Sequence, residues 1–65
     1  MYNNLNAEMA RNQIKPQQIA DVIGKKYGQT RLKLKGDYSF TMEEAAKIKK
    51  ELFPDLDLDY LFATK

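Results

Sequence analysis

Residues 19–36 read IADVIGKKYGQTRLKLKG and contain the local signals that decide the fold class. Apolar side chains at Ile19, Ala20 and Ile23 have the spacing of one face of an α-helix. Gly24 follows at once and suits the left-handed conformation in which helices commonly end. The stretch carries five cations against one acid, and all five follow the glycine. The sequence therefore places a strongly basic segment directly after a short helix.

The pattern of the basic segment is compatible with two structures. Residues 31–35 alternate polar and apolar side chains and are followed by Gly-Asp, which is typical of a β-hairpin. The alternative is a helix over residues 27–35 that turns Thr30 and Leu34 inward and ends at the glycine that follows. Gly28 disfavours this helix by about 1 kcal/mol relative to alanine. Local pattern leaves both structures open.

Capping signals predict further helices on both sides. Asparagine at position 3 or 4 can start a first helix, and Pro16 suits the first turn of a second. Thr41 and Glu44 form a capping box, and Asp57 can cap a short last helix. With the helical interpretation of the basic segment, the predicted helices span residues of about 4–12, 16–23, 27–35, 42–52 and 58–62.

The composition argues against several classes of protein. The 65 residues predict a single domain over 1–65, and they include no cysteine and no histidine. The commonest general base, the most reactive nucleophile and thiolate metal sites are therefore missing, and we expect no enzyme, metal or cofactor. Asp55, Asp57 and Asp59 begin like a calcium loop, but the glycine such a loop needs at its sixth position is Tyr60. No signal peptide or membrane span is predicted, which favours a cytoplasmic protein.

The charges are separated along the chain. Residues 11–36 hold seven cations against one acid, whereas residues 37–65 hold four lysines against seven acids. This asymmetry predicts a polyanionic partner for one end of the fold. The alternative interpretation is a solvated face whose charge serves only solubility.

The segment around Gly24 meets the physical requirements of a helix-turn-helix. Ala20 is small enough for a close helix crossing, and Gly24 can adopt the positive φ of a tight turn. Thr30 and Leu34 can anchor a second helix. The side chains then available for phosphates and base edges are Lys25, Lys26, Tyr27, Arg31, Lys33 and Lys35.

Three segments carry a resemblance to a known family. NLNAEMARNQI (4–14), IADVIG (19–24) and FTMEEAAKIKKELFPDLDLDYLF (40–62) resemble the Cro/repressor-type (XRE-like) helix-turn-helix proteins. The closest likeness is to short regulators of phages and mobile elements in Gram-positive bacteria. The resemblance implies an all-α, compact five-helix lambda-repressor-like domain. It also implies that residues 27–35 are the recognition helix.

The resemblance, together with the charges, gives a set of expected site residues. Lying in the major groove, the recognition helix would contact bases, and the preceding helix and turn would contact phosphates. The acidic C-terminal segment is the expected dimerisation surface; the alternative is that Phe62 caps the core of the monomer itself. The expected base contacts are Tyr27, Gly28, Gln29, Arg31, Leu32 and Lys33; the expected phosphate contacts are Lys15, Gln17, Gln18, Lys25, Lys26 and Lys35; the expected dimer residues are Phe53, Tyr60 and Phe62.

The function that this implies is sequence-specific binding of double-stranded DNA. We expect a transcriptional regulator that occupies an operator in a bacterial cytoplasm, as a possible homodimer and without a small-molecule ligand. Three positions differ from the family pattern: Lys26 stands where Ser or Thr is usual, Gly28 offers no side chain to a base, and Thr30 replaces a small β-branched or alkyl residue. The alternative is therefore a protein-binding module on the same fold, such as an antirepressor or an inhibitor of a host factor.

Overall fold

The computed structural model describes residues 2–64, which form five α-helices and no strand. The all-α prediction is confirmed, and the β-hairpin is excluded. The helices begin and end within one residue of the predicted bounds. They are α1 (Asn3–Arg11), α2 (Pro16–Ile23), α3 (Tyr27–Lys35), α4 (Met42–Leu52) and α5 (Leu58–Leu61).

In the structure the basic segment forms helix α3 and not a hairpin. In a strand, Leu32 and Leu34 would lie on the same face. In the helix, Leu34 and Thr30 turn into the core, where they are 5% and 0% exposed, and Leu32 stays outside. Gly36 then ends the helix in the left-handed conformation, with φ of 97°.

The turn between α2 and α3 is made by Gly24, whose φ of 70° confirms the predicted left-handed position. The backbone N–H of Lys25 donates to the Ala20 carbonyl at 3.1 Å, which closes the end of α2. Ala20 itself is fully buried. The turn therefore packs α3 against α2, and the small side chain of Ala20 lets the two helices approach closely.

We expect Gly24→Ala to lower the free energy of unfolding by about 1–2 kcal/mol. A Cβ at this position would meet no atom within 4 Å, so the cost comes from the left-handed backbone alone. Gly28→Ala is the matched control, because its Cβ would also enter open space but in a helical backbone. This control should instead stabilise the protein, by about 0.5–1 kcal/mol. Urea titrations followed by circular dichroism measure both changes; equal effects of the two substitutions would contradict the argument.

Two predicted caps differ from the structure. Helix α1 is preceded by Tyr2, not by asparagine, and Asn3 is already its first helical residue. Asp57 does precede α5, but its side chain makes no capping hydrogen bond. The capping box of α4 is confirmed in both directions: the backbone N–H of Glu44 donates to Thr41 Oγ1 at 3.1 Å, and that of Thr41 donates to Glu44 Oε1 at 3.0 Å.

The core draws on all five helices and on the segments that flank them. Three aromatic rings close one side of it, with centroid distances of 5.2 Å (Tyr2–Phe40), 5.9 Å (Tyr2–Phe62) and 5.4 Å (Phe40–Phe62). Within residues 2–64, no helix combines the length and apolar character that crossing a bilayer requires. The buried apolar residues are Tyr2, Leu5, Met9, Ile19, Ala20, Ile23, Leu34, Ala45, Ile48, Phe53 and Leu61.

Candidate functional site

The outward side of α3 is the part of the fold on which chemically varied side chains are concentrated. Because Thr30 and Leu34 anchor the helix in the core, the residues on the opposite side of the helix face solvent. Tyr27 is 44% exposed and Leu32 is 37% exposed. We call this surface the α3 outer face; it comprises Tyr27, Gly28, Gln29, Arg31 and Leu32.

Lys33, which was expected to contact a base, lies apart from this surface. Its Nζ lies 2.6 Å from Glu44 Oε1 and 5.9 Å from the centroid of the Phe40 ring. The side chain is only 16% exposed. The helical position of Lys33 places it beside the first turn of α4, so it joins the two helices instead of facing outward.

Tyr27 and Arg31 contact each other on the α3 outer face. They are four residues apart and so share one side of the helix. Arg31 Nη1 donates a hydrogen bond to the Tyr27 hydroxyl oxygen at 3.1 Å. The Arg31 guanidinium carbon also lies 5.8 Å from the centroid of the Tyr27 ring. Arg31, the cation of the α3 outer face, thus makes two contacts with Tyr27.

The expected phosphate-contacting residues lie around the two ends of α2 and at the end of α3, and all are exposed. Gln18 Oε1 accepts the backbone N–H of Lys15 at 2.8 Å and so helps to cap α2. Gln17 Nε2 donates to Asp21 Oδ1 at 2.9 Å. Lys35 lies 3.8 Å from Asp37, an exposed pair that contributes little.

Cations without an ion pair flank the start of α3. Within the described part of the chain, Lys25, Lys26 and Arg31 have no carboxylate within 4.0 Å. Lys25 and Lys26 belong to the turn after α2, and Arg31 belongs to the outer face. Their charge is therefore available to an anion from outside.

The start of α3 has no side-chain cap. Lys26 occupies the N-cap position in an extended conformation, but its side chain accepts no hydrogen bond from the helix. A lysine ammonium has no acceptor atom. The Thr30 hydroxyl donates to the Lys26 carbonyl at 3.0 Å, a contact that satisfies an acceptor and none of the N–H donors at the start of the helix.

We expect Lys26→Ser to raise the free energy of unfolding by about 1 kcal/mol. Serine supplies the oxygen that an N-cap requires, and its φ and ψ preferences fit the extended backbone already present. Lys25→Ser removes the same charge one position earlier and cannot cap α3, so it is the control. Thermal unfolding of both variants measures the difference. If Lys26→Ser were no more stable than Lys25→Ser, the conclusion that α3 lacks an N-cap would be contradicted.

Glu44 connects the capping box of α4 to α3. Its Oε1 accepts both the Thr41 N–H and Lys33 Nζ. Burial raises the pKa of Glu44, but the hydrogen bonds from Lys33 and Thr41 and the charges of Lys33 and Lys25 outweigh burial and hold the pKa below its ordinary value. The capping box could be found from sequence; the ion pair could not, because the two residues are on different helices.

We expect Glu44 to contribute to loss of stability in acid. Because its pKa is lower in the folded than in the unfolded chain, its contribution is fully present above the ordinary glutamate pKa of about 4.3. The contribution is lost as the pH falls through the folded-state value. Glu44→Gln keeps an acceptor for the Thr41 N–H but has no charge. Its free energy of unfolding should therefore change less between about pH 5 and about pH 2.5 than that of the natural protein. Identical acid profiles for the two proteins would contradict this role.

The residues expected to form a dimer surface are mostly part of the monomer core. Phe53 is 3% exposed, and Phe62 is half-buried against Tyr2 and Phe40. Both therefore lack the free surface that was expected of them. Only Tyr60 is exposed, and its hydroxyl donates to the buried Glu8 carboxylate at 2.8 Å. This hydrogen bond raises the pKa of Tyr60.

Comparisons with known proteins add no assignment. The chain matches no protein-family model, and no significant match is found among curated proteins or solved structures. Among residues 2–64, no group of three His, Cys, Asp or Glu side chains is arranged to hold a metal ion. The α3 outer face and the cations around it are therefore the candidate functional site.

Proposed function

We propose that this protein binds double-stranded DNA sequence-specifically and regulates transcription. In this proposal α2, the turn at residues 24–26 and α3 form a helix-turn-helix within a lambda-repressor-like domain. The observation that carries it is the two-sided character of α3. One side is anchored in the core by Thr30 and Leu34, and the other presents Arg31, Gln29 and Tyr27 to solvent.

The packing of α2 against α3 supports the proposal. A recognition helix must protrude while remaining rigidly held. Ala20 is fully buried and permits a close crossing, and Gly24 provides a tight turn. A helix held in this way can enter the major groove without unfolding.

The charges support duplex DNA as the partner. Lys25 and Lys26 are exposed at the start of α3, where they would neutralise phosphates on either side of a groove. Arginine and glutamine side chains match the major-groove edges of guanine and adenine. Bound at a promoter, such a domain would act by physical occupancy and would need no cofactor.

Selection of bound duplexes from a random pool at about 150 mM salt is the experiment that tests this proposal. A DNA-reading domain should enrich one motif over random sequence. A motif with two-fold symmetry would indicate two protomers, as is usual for this kind of domain. Recovery of random sequences only, by a protein whose helical circular dichroism is intact, would refute sequence-specific binding.

A protein-binding module is the second candidate, and the exposed apolar residues near α3 favour it. Tyr38 is 61% exposed and Leu32 is 37% exposed. A groove beside α3 is lined by Lys25, Gln29, Leu32 and Tyr38. An acidic protein with an apolar anchor would fit such a surface. Failure to enrich any duplex would favour this function.

A further inference from the structure

We propose that Tyr27 and Arg31 act as one specificity-determining unit, in which the Tyr27 phenol positions the Arg31 guanidinium to read guanine. This inference rests on the proposed function and extends it by assigning a base and a positioning residue. Arg31 is the side chain that would touch the base. Tyr27 would act through it.

The two contacts between the side chains fix different features of the guanidinium group. The hydrogen bond from Arg31 Nη1 to the Tyr27 hydroxyl, 3.1 Å long, sets the direction in which the arginine extends. The approach of the guanidinium carbon to the ring, at 5.8 Å from the centroid, sets the side of the ring on which it lies. An exposed arginine otherwise samples many rotamers, and it loses that freedom on binding.

The pair therefore orders the arginine before any partner arrives. Ordering a side chain in its bound conformation reduces the entropy lost on association. A planar guanidinium benefits most, because it must align two donors with two acceptors at the same time. A lysine in the same place would offer a point charge and gain no such alignment.

The donors that remain on Arg31 match guanine. The Tyr27 oxygen occupies one N–H of Nη1, so the edge formed by Nη2 and Nε stays available. Guanine presents O6 and N7 as two neighbouring acceptors in the major groove, and arginine contacts both. Adenine presents N7 beside an amino donor, which would oppose a second N–H.

The position of the unit also fits base reading better than phosphate binding. Tyr27 is the first residue of α3, and Arg31 follows one turn later on the outer face. Lys25 and Lys26 immediately precede it, form no ion pair with any carboxylate of residues 2–64, and carry charge suited to phosphates. The turn thus supplies two lysine ammonium groups for phosphates, and α3 supplies a planar guanidinium group with a fixed orientation.

The test compares guanine preference in five proteins: the natural chain, Tyr27→Phe, Arg31→Lys, the variant that combines these two substitutions, and the control Tyr38→Phe. Tyr27→Phe keeps the ring and removes only the oxygen that accepts from Arg31. Tyr38→Phe removes a hydroxyl from another exposed tyrosine nearby. The readout is the affinity ratio between the selected motif and the same motif with one guanine replaced by adenine. This ratio does not change if a variant merely weakens all DNA binding.

We expect Tyr27→Phe to lower that ratio about three- to tenfold at one motif position, and Arg31→Lys to lower it by about tenfold or more at the same position. Combining both substitutions should add little to Arg31→Lys alone, because the phenol acts only through the arginine. Tyr38→Phe should leave the ratio unchanged. An unchanged ratio in Tyr27→Phe, or losses at two different positions, would overturn the unit while leaving DNA binding intact.

A measurement without DNA separates this inference from the proposed function. The ¹⁵N relaxation of the Arg31 Nε–H group in the free protein should indicate restricted motion, and Tyr27→Phe should release it. An Arg31 group equally mobile in both proteins would overturn the positioning role, whatever the DNA experiments give. If the natural protein shows restricted motion but enriches no duplex, the proposed function fails, and the guanine assignment fails with it.

Discussion

Replacing Leu61 with alanine is expected to lower the free energy of unfolding by about 2–5 kcal/mol, the usual cost of emptying a buried leucine site. Leu61 is 0% exposed although it belongs to α5, which spans only Leu58–Leu61. A chain of this size buries only about 60% of its unfolded surface, so its total stability is small. The variant should therefore melt at least about 10 °C lower than the natural protein.

Leu58→Ala is the matched control for this substitution. It makes the same chemical change in the same helix, but Leu58 is half-buried and does not belong to the core cluster. Thermal unfolding followed by circular dichroism at 222 nm compares the two helical proteins directly. If both variants lost stability equally, α5 would be a surface helix and Leu61 would not be a core residue.

The helices could be predicted from sequence mainly because α2, α3 and α4 carry local signals at one or both ends. Gly24 and Gly36 have left-handed conformations, and Thr41 and Glu44 cap each other. The basic segment was ambiguous because its alternation over residues 31–35 fits a strand. The burial of Leu34, which settles it, is a tertiary fact that no local pattern contains.

The candidate site was predicted less completely than the fold. Sequence placed Arg31 and Tyr27 on one helix but could not reveal their hydrogen bond, which depends on rotamers. It placed Lys33 on the basic helix but could not show that Glu44 turns it inward. Sequence left Phe62 with two interpretations, a dimer surface or the monomer core, because its ring partners, Tyr2 and Phe40, are distant in sequence. The Tyr27–Arg31 contact is a matter of side-chain conformation within α3, whereas the contacts of Lys33 and Phe62 join segments that are distant in sequence.

Replacing Arg31 with alanine is expected to weaken binding to the selected DNA motif by about 1–3 kcal/mol, or about five- to 150-fold. The loss should fall mainly on one guanine, because a bidentate contact to its O6 and N7 would be removed. Binding to random duplex should change far less. Folding should be preserved, because Arg31 is exposed and its only recorded partner within residues 2–64 is Tyr27.

Two lysine variants isolate the loss of charge from the loss of base reading. Lys26→Ala removes a cation proposed to meet phosphate, so it should weaken selected and random duplexes alike and reduce the log–log salt slope by about 0.9. Lys50→Ala removes the same charge from the exposed end of α4, remote in sequence from α3, and should affect neither. Fluorescence anisotropy over a range of salt concentrations measures all three variants. If Arg31→Ala weakened both duplexes equally and reduced the log–log salt slope as Lys26→Ala does, then Arg31 would contact a phosphate. Another residue would then have to contact the base that Arg31 is proposed to read.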